Sequence, residues 1–410
     1  MPGKNKTFKP VIVLIILIVL TKLLLSFLPS DAIDMPGYRA WSRHLATRGF
    51  DDFYQTWHVV YAPAYLYLLW LSGIIAEFFS LSPRLHEFFI KLWPVLFDLA
   101  GGILLYLTAR DCGRKRFGLI LAAMYALNPA VVFNSSVWGQ FESVAATMLF
   151  GAVYFFRRRR SVTGVILFVT AVLVKPQSAM LAPVVLLLFL KNFSLRKLWL
   201  ALAGSACAYL AVVLPFSAGR PVYWVFQHFL TSGGDYPYAT ANAFNLWTIL
   251  GGQTVPDHLP FWGLSYAGWS LIFLATATAA VVWFLLRKPV TSGEVYYAAY
   301  FYSFAVFMLG SRMHERYLFP ALIFLTAALL WEKKLWGPLV ILSLCHFANT
   351  WYIYARGWRG QVWAPPDDRL ALVIAGITLV VFLYSVYYLA GRGWGEKNST
   401  LEAAERGMGA

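Results

Sequence analysis

Apolar runs of helix length recur from residue 11 to residue 390, and no polar insert of domain size interrupts them. Hydrocarbon offers no water to a backbone N–H or C=O, so segments of this kind span a bilayer as helices whose hydrogen bonds close internally. With 60% hydrophobic and 13% charged residues among 410, a water-soluble domain of ordinary surface composition is excluded. The pattern reads as an all-α polytopic membrane protein with one domain over residues 1–390. The polar tail 391–410 has the composition of a disordered segment and is expected in the cytoplasm.

A net charge of +15 would suggest nucleic acid in a soluble chain. Here Lys and Arg collect in short loops at Lys4 to Lys9, Arg110 to Arg116, Arg157 to Arg160, Lys191 to Lys197, Arg287 with Lys288, and Lys333 with Lys334, with Arg392 in the tail. Their information is therefore topological, and all are expected in the cytoplasm. From Arg110 onward the apolar segments near 117–133, 141–156, 162–174, 178–190, 198–216, 265–286, 295–310, 318–331, 336–353 and 369–390 then alternate in direction. Segments 162–174 and 178–190 are shorter than the roughly 20 residues of a full span, which suits tilted helices or helices lining a protein-filled cavity.

The run 11–28 exceeds the h-region of a signal peptide and lacks a small-residue cleavage site, so it reads as a retained first helix. Parity then requires that one of segments 59–79 and 91–109 fails to cross. The start of the former, VVYAPAYLYLLW, is rich in interfacial Tyr and Trp and marks it as a juxtamembrane helix of the outer leaflet. About twelve crossings result, with both termini inside. The main outer loops are 29–58, with the pattern of surface-lying amphipathic helices, and 217–264. Cys112, Cys207 and Cys345 suggest neither a disulfide framework nor a thiolate metal site.

This threading brings every chemically capable cluster to one face: Asp31 with Asp34, WGQFES (Trp138 to Ser143), KPQ (Lys175 to Gln177), DYPYATANAFNLW (Asp235 to Trp247) and SRMHERY (Ser311 to Tyr317). Asp34, just past the first helix, is placed to take a proton from an acceptor hydroxyl, though a solvated loop acid has the same sequence. Lys175 is either a phosphate partner at the interface or a snorkelling lysine. Arg312 and Arg316 offer guanidinium forks to phosphate oxygens, or pair with Glu315 to lock the turn. Asp98, inside an apolar segment, is expected to make a structural hydrogen bond. HERYL lacks the second His of a zincin, and Asp31-x-x-Asp34 makes a poor metal pair, so no metal ligands are assigned. The N-x-S/T matches at Asn134 and Asn398 are of a length that arises by chance.

In order along nearly the whole chain, these motifs resemble the GT-C superfamily of polyprenol-dependent glycosyltransferases, and among them the bacterial relatives of the GPI-anchor mannosyltransferases. The matching positions are Asp34, Tyr38, Trp41, Gly49, Phe53 and Tyr54, then WGQ-x-acid, K-x-Q, N-x-x-N-x-W and M-H-E-R-Y. Two departures are Val60-Tyr61-Ala62-Pro63-Ala64-Tyr65, where the family has Asp-Tyr-Pro-Pro-x-Tyr, and Glu142, where its usual acid is Asp. The resemblance implies a GT-C-like helical bundle in a bacterial plasma membrane. It implies an inverting transfer of a sugar, with mannose a candidate, from a polyprenyl-phosphate donor to a glycan, lipid or protein acceptor at the extracytoplasmic face. Asp34 would be the general base, and Lys175, Arg312 and Arg316 would hold the donor phosphate. Gln140, Glu142, Gln177, Asn242, Asn245, His314 and Glu315 would contact sugar or acceptor or orient the site. No nucleotide sugar or nucleic acid is implied, and a divalent metal is left open. The competing reading is a transporter or flippase of lipid-linked sugar or solute, which would place its site near the bilayer midplane between repeats.

Overall fold

The computed structural model describes residues 8–392, so Lys4, Lys6, the Asn398 sequon and the tail beyond Arg392 lie outside the described residues. Four described helices are long and apolar enough to cross a membrane: Pro83–Asp111, Leu195–Phe216, Tyr266–Leu286 and Arg369–Gly391. Lys115–Ala126 and Pro129–Trp138 meet the same length and composition together but are bent by 49°, the geometry of a broken span or a re-entrant loop. Length and composition alone therefore do not reach twelve crossings. The remainder of the bundle uses shorter helices, several of them deeply buried. Glu142–Arg157, Glu294–Leu309 and Phe319–Ala328 are buried along almost their entire lengths, so protein rather than lipid surrounds them and the span-length rule is relaxed.

Breaks occur where the sequence demands them. Lys175 precedes Pro176 and is extended (φ −146°, ψ 113°), ending Ser161–Val174 before Ala182–Leu190 begins. Pro94 lies inside Pro83–Asp111, and nearby carbonyls are met from a neighbouring helix: Ser143 Oγ donates to Pro94 O at 2.9 Å and Thr147 Oγ1 to Phe97 O at 2.9 Å.

The segment 29–58, expected from the sequence to be an outer loop, folds as the helices Asp34–Arg48 and Phe53–Thr56. Helix Pro63–Phe78, within the segment assigned to the juxtamembrane region, packs against Asp34–Arg48. Helix Glu142–Arg157 begins among the polar clusters and ends among the basic loops, where Arg158 meets Asp111 at 3.1 Å and Arg157 Nε donates to Thr291 O at 2.8 Å. Chemistry and basic charge thus sit at opposite ends of the same helix.

The crossing of Asp34–Arg48 over Pro63–Phe78 depends on Gly73, where an added Cβ would land on the Ser42 carbonyl oxygen. Ser42 cannot retreat easily, because its hydroxyl donates to Leu69 O at 2.6 Å and lies 2.9 Å from His86 Nε2. Gly73→Ala should therefore destabilise the protein by about 1–3 kcal/mol, as overpacking does. Thermal unfolding in detergent measures this, and an unchanged melting temperature would contradict the contact.

Candidate active site

Asp34 opens its helix, and the turn before it is shaped by Asp31, whose Oδ1 accepts the backbone N–H of Ile33 at 3.0 Å and of Asp34 at 2.7 Å. Asp31 is a local cap rather than a second reactive group. The opposing wall is a π-helical turn, Phe133–Trp138, followed by Gly139 in the left-handed region (φ 89°, ψ 23°) that favours glycine. That turn delivers Trp138 Nε1 to 3.4 Å from Asp34 Oδ2 and brings Gln140 Nε2 to donate to the same oxygen. The Gln140 amide has one sensible orientation, because its Oε1 accepts from Tyr38 OH at 3.1 Å, and Tyr38 in turn lies 3.1 Å from Tyr61 OH. Arg316 Nη1 also approaches Asp34 Oδ2, at 3.9 Å. Every one of these contacts is to Oδ2, while Asp34 itself lines a cavity of about 710 Å³.

Arg316 is the centre of the charged wall. Its Nε is 3.4 Å from Glu142 Oε1 and its Nη1 is 2.8 Å from Glu315 Oε1. Glu142 Oε1 also takes Lys175 Nζ as a buried partner. Lys175 lies over the Tyr317 ring, 4.7 Å from its centroid. Gln177 donates to Tyr317 OH at 2.9 Å. The buried atoms Glu142 Oε2 and Gln177 Oε1 have no hydrogen-bond partner among the described residues, and both residues border a smaller cavity of about 50 Å³ beside Lys175 and Arg316. Polar atoms left so are those a ligand hydroxyl would satisfy.

Three further residues expected at the site make most of their contacts with the surrounding fold. Arg312, in a left-handed conformation (φ 61°), bonds Asp257 Oδ2 through Nε at 2.6 Å and the Gly233 carbonyl through Nη1 at 2.7 Å. It lines the same main cavity as Asp34 and Arg316, but its guanidinium is engaged by Asp257 and Gly233 of the segment 217–264. Asn242 is buried, with Oδ1 accepting from Gln253 Nε2 at 2.9 Å and Ala364 N at 3.0 Å while Nδ2 donates to Val362 O at 2.8 Å. Asn245 caps Leu246–Ile249 through Oδ1 and donates to Phe307 O at 2.9 Å. Both amides are engaged by the fold, and neither residue borders the main cavity.

His314 does border it, 4.9 Å from the Tyr236 ring. Burial, reinforced by Arg316 and Lys175, holds its imidazole well below the usual 6.5, and its Nδ1 lies 3.9 Å from Glu315 Oε2. Burial pushes the Glu315 carboxyl up, against the pull of Arg316. Sequence reasoning missed Asp257, a lone loop acid without any motif around it, and the Tyr38–Tyr61 hydroxyl pair, which only tertiary packing brings together. Among the described residues no group of three or more His, Cys, Asp or Glu is arranged to hold a metal ion.

Burial, and then the neighbouring Asp34, raise the Asp31 carboxyl from 3.8 to about 6. A folded acid with a raised pKa binds its proton more tightly than the unfolded chain does. Stability should therefore fall as pH rises from 3.8 through about 6 and stay lower above that window. Asp31→Asn keeps the capping oxygen and should remove this slope. Chemical denaturation midpoints across that range test it, and a slope identical to wild type would assign the effect elsewhere.

Comparison with known proteins agrees with this architecture. The family of the GPI transamidase subunit PIG-U matches residues 43–228. GPI mannosyltransferase 1 of Eremothecium gossypii is 25% identical over 306 residues, covering 72% of this chain and 73% of that protein. Among solved structures, ArnT from Cupriavidus metallidurans in the apo state superposes over 92% of this chain and 76% of its own, with a TM-score of 0.51 at 15% identity. The same protein bound to undecaprenyl phosphate gives a TM-score of 0.46 at 14% identity, over 92% and 78% of the two chains. The apo ArnT superposition shows a shared fold, and the sequence matches make the chain similar to proteins of GPI-anchor biosynthesis that include a mannosyltransferase, as expected for a protein of the GT-C type.

Proposed function

We propose that the protein is an inverting hexosyltransferase that takes a sugar from a polyprenyl-phosphate donor at the extracytoplasmic membrane face, with Asp34 as general base. The observation that carries this reading is the contrast between the two Asp34 oxygens. Oδ2 is anchored by Trp138, Gln140 and Arg316, whereas among the described residues no hydrogen bond reaches Oδ1, on a carboxylate that lines a cavity of about 710 Å³. One oxygen fixes the geometry and the other is available to an acceptor hydroxyl, the arrangement a general base needs. Attack on the anomeric carbon from the Asp34 side would expel the lipid phosphate on the far side, inverting the configuration.

Lys175 and Arg316 are the cations we assign to that phosphate. Their charges are balanced by Glu142 and Glu315, so the donor exchanges carboxylate contacts for phosphate contacts and stabilises the leaving group as it departs. Glu142 Oε2 and Gln177 Oε1 are suited to accept from sugar hydroxyls. Arg312, held by Asp257, is assigned to shaping the cavity rim, and His314 to the wall beside Tyr236. Asn242 and Asn245 are assigned to the fold of the second outer loop. The name of the Eremothecium gossypii relative makes mannose the first sugar to try.

Transfer from a panel of synthetic polyprenyl-phosphate sugars, in nanodiscs, tests the reading. Asp34→Asn should abolish turnover with every accepted donor while donor binding persists, because loss of a proton acceptor is felt mainly in the transition state. Wild-type turnover in this variant would remove Asp34 from the mechanism.

Removing a buried charge-assisted contact costs about 1.5–3 kcal/mol, so Lys175→Ala and Arg316→Ala should each weaken donor binding by roughly tenfold or more. Binding of a neutral acceptor should change little, and Arg312→Ala should affect the donor less than either. Unchanged donor affinity in both cluster variants would move the phosphate site elsewhere.

A further inference from the structure

Lys22 and Asp98 form an ion pair, Nζ to Oδ2 at 2.7 Å, with both side chains fully buried inside apolar helices. Neither touches the cavity that Asp34 lines. Charges in such a setting are expensive, and a buried pair seldom stabilises a fold more than well-packed apolar residues of similar volume would. What the pair does provide is a fixed geometry between the segments it joins.

Ser135 completes a triangle. Its hydroxyl donates to Asp98 Oδ2 and lies 3.4 Å from Lys22 Nζ. The three corners belong to the stretches of chain that converge on Asp34. Lys22 ends the first helix, and the linker from there to Asp34 is held by Lys91, whose Nζ donates to Ser26 O at 3.2 Å and Leu28 O at 2.7 Å. Ser135 sits in the π-helical turn whose continuation presents Trp138 and Gln140 to Asp34 Oδ2. Within that turn Ser136 Oγ and both amide atoms of Asn134 are buried without partners among the described residues, so Ser135, with Trp138 at the end of the turn, is a polar side chain there that makes hydrogen bonds. A π-helical turn is an uncommon backbone form and needs external support of this kind.

We propose that the Lys22–Asp98–Ser135 triangle is a positioning device for Asp34. It fixes the register between the first helix and the π-helical turn, so that the Gln140 amide meets the carboxylate that follows that helix. This rests on Asp34 being the base. Lys22, Asp98 and Ser135 are positioning residues, acting through Gln140 and Trp138.

The test combines kinetics with hydrogen–deuterium exchange on the full-length protein in nanodiscs, using a polyprenyl-phosphate sugar as donor. Asp98→Asn should lower kcat at least tenfold while donor Kd changes less than twofold, since Lys175 and Arg316 are untouched. Exchange should accelerate in peptides covering 133–140. The apolar double variant Lys22→Met with Asp98→Leu should match or exceed wild-type thermal stability and still show the low kcat. A purely structural pair predicts instead that stability and kcat recover together, and that result would overturn the proposal. In a Gln140→Ala background Asp98→Asn should add little further loss, and full additivity also counts against it. Where Asp98→Asn fails to fold, Ser135→Ala removes the third corner and leaves the charge pair intact, with the same expected signature. The two readings fail separately. Turnover by Asp34→Asn sinks the base assignment whatever exchange shows, whereas unchanged exchange at 133–140 in Asp98→Asn sinks the positioning device whatever Asp34→Asn does.

Discussion

Arg316 stands among three carboxylates drawn from three separate parts of the chain: Glu315 at 2.8 Å, Glu142 at 3.4 Å and Asp34 at 3.9 Å. A guanidinium offers several donors in one plane and keeps its charge when desolvated, so it can hold such a set together where a lysine would serve fewer partners. Lys175 enters through the same Glu142 oxygen. The first outer loop, the start of helix Glu142–Arg157 and the turn before Phe319–Ala328 are thereby locked to one another through charge. The cavity is a consequence of that lock, since its walls are the backbone and aromatic residues these groups carry with them.

The sequence reveals much of this because the constraints involved are local. Apolar runs declare helices, basic loops declare which helix ends belong together, and polar residues at the opposite ends stand out against a background that is 60% hydrophobic. Asp34, Gln140, Glu142, Lys175 and Arg316 meet as that reasoning expects. What stays hidden is pairing. Lys22, near the end of an apolar run, has no nearby acid in sequence, and its partner Asp98 lies 76 residues away. Arg312 looks equivalent to Arg316 until Asp257, from a loop distant in sequence, is found holding it. Asn242 and Asn245 look like carbohydrate ligands because amides among aromatics suit both sugars and loop cores, and here packing decides for the loop. The span count is hard to read for a related reason. Helices wrapped in protein obey no length rule, so Glu294–Leu309 and Phe319–Ala328 give no clear sign of where they begin or end relative to the bilayer.

The two departures from the family motif acquire a physical meaning. Glu142 is one methylene longer than the aspartate usual at that place, and its Oε1 meets both Lys175 and Arg316. Val60 stands where the family carries an acid, and it lines the main cavity as an apolar wall. The tyrosines that follow keep their place in the site's frame: Tyr61 meets Tyr38, and Tyr65 stacks on Phe141 with ring centroids 3.7 Å apart. One acid fewer on the wall of the cavity that Asp34 lines leaves less negative charge there, close to the mutually repelling carboxylates of Asp31, Asp34, Glu142 and Glu315.

Asp34, Gln140, Lys175 and Arg316 all occupy starts of helices or breaks between them. Asp34 starts one after a capped turn, Gln140 follows the left-handed Gly139, Lys175 sits on extended backbone before Pro176, and Arg316 follows the left-handed Arg312. In a membrane, irregular backbone is tolerated only where protein or a polar cavity satisfies the N–H and C=O groups it frees. A bundle that needs polar side chains at one face therefore concentrates its breaks there, and the breaks in turn free those side chains to point along the helix axes into a common space. The buried Lys22–Asp98 pair fits the same logic. Breaks relax the geometry that continuous helices would otherwise impose, and a charge pair set within the helices below restores it.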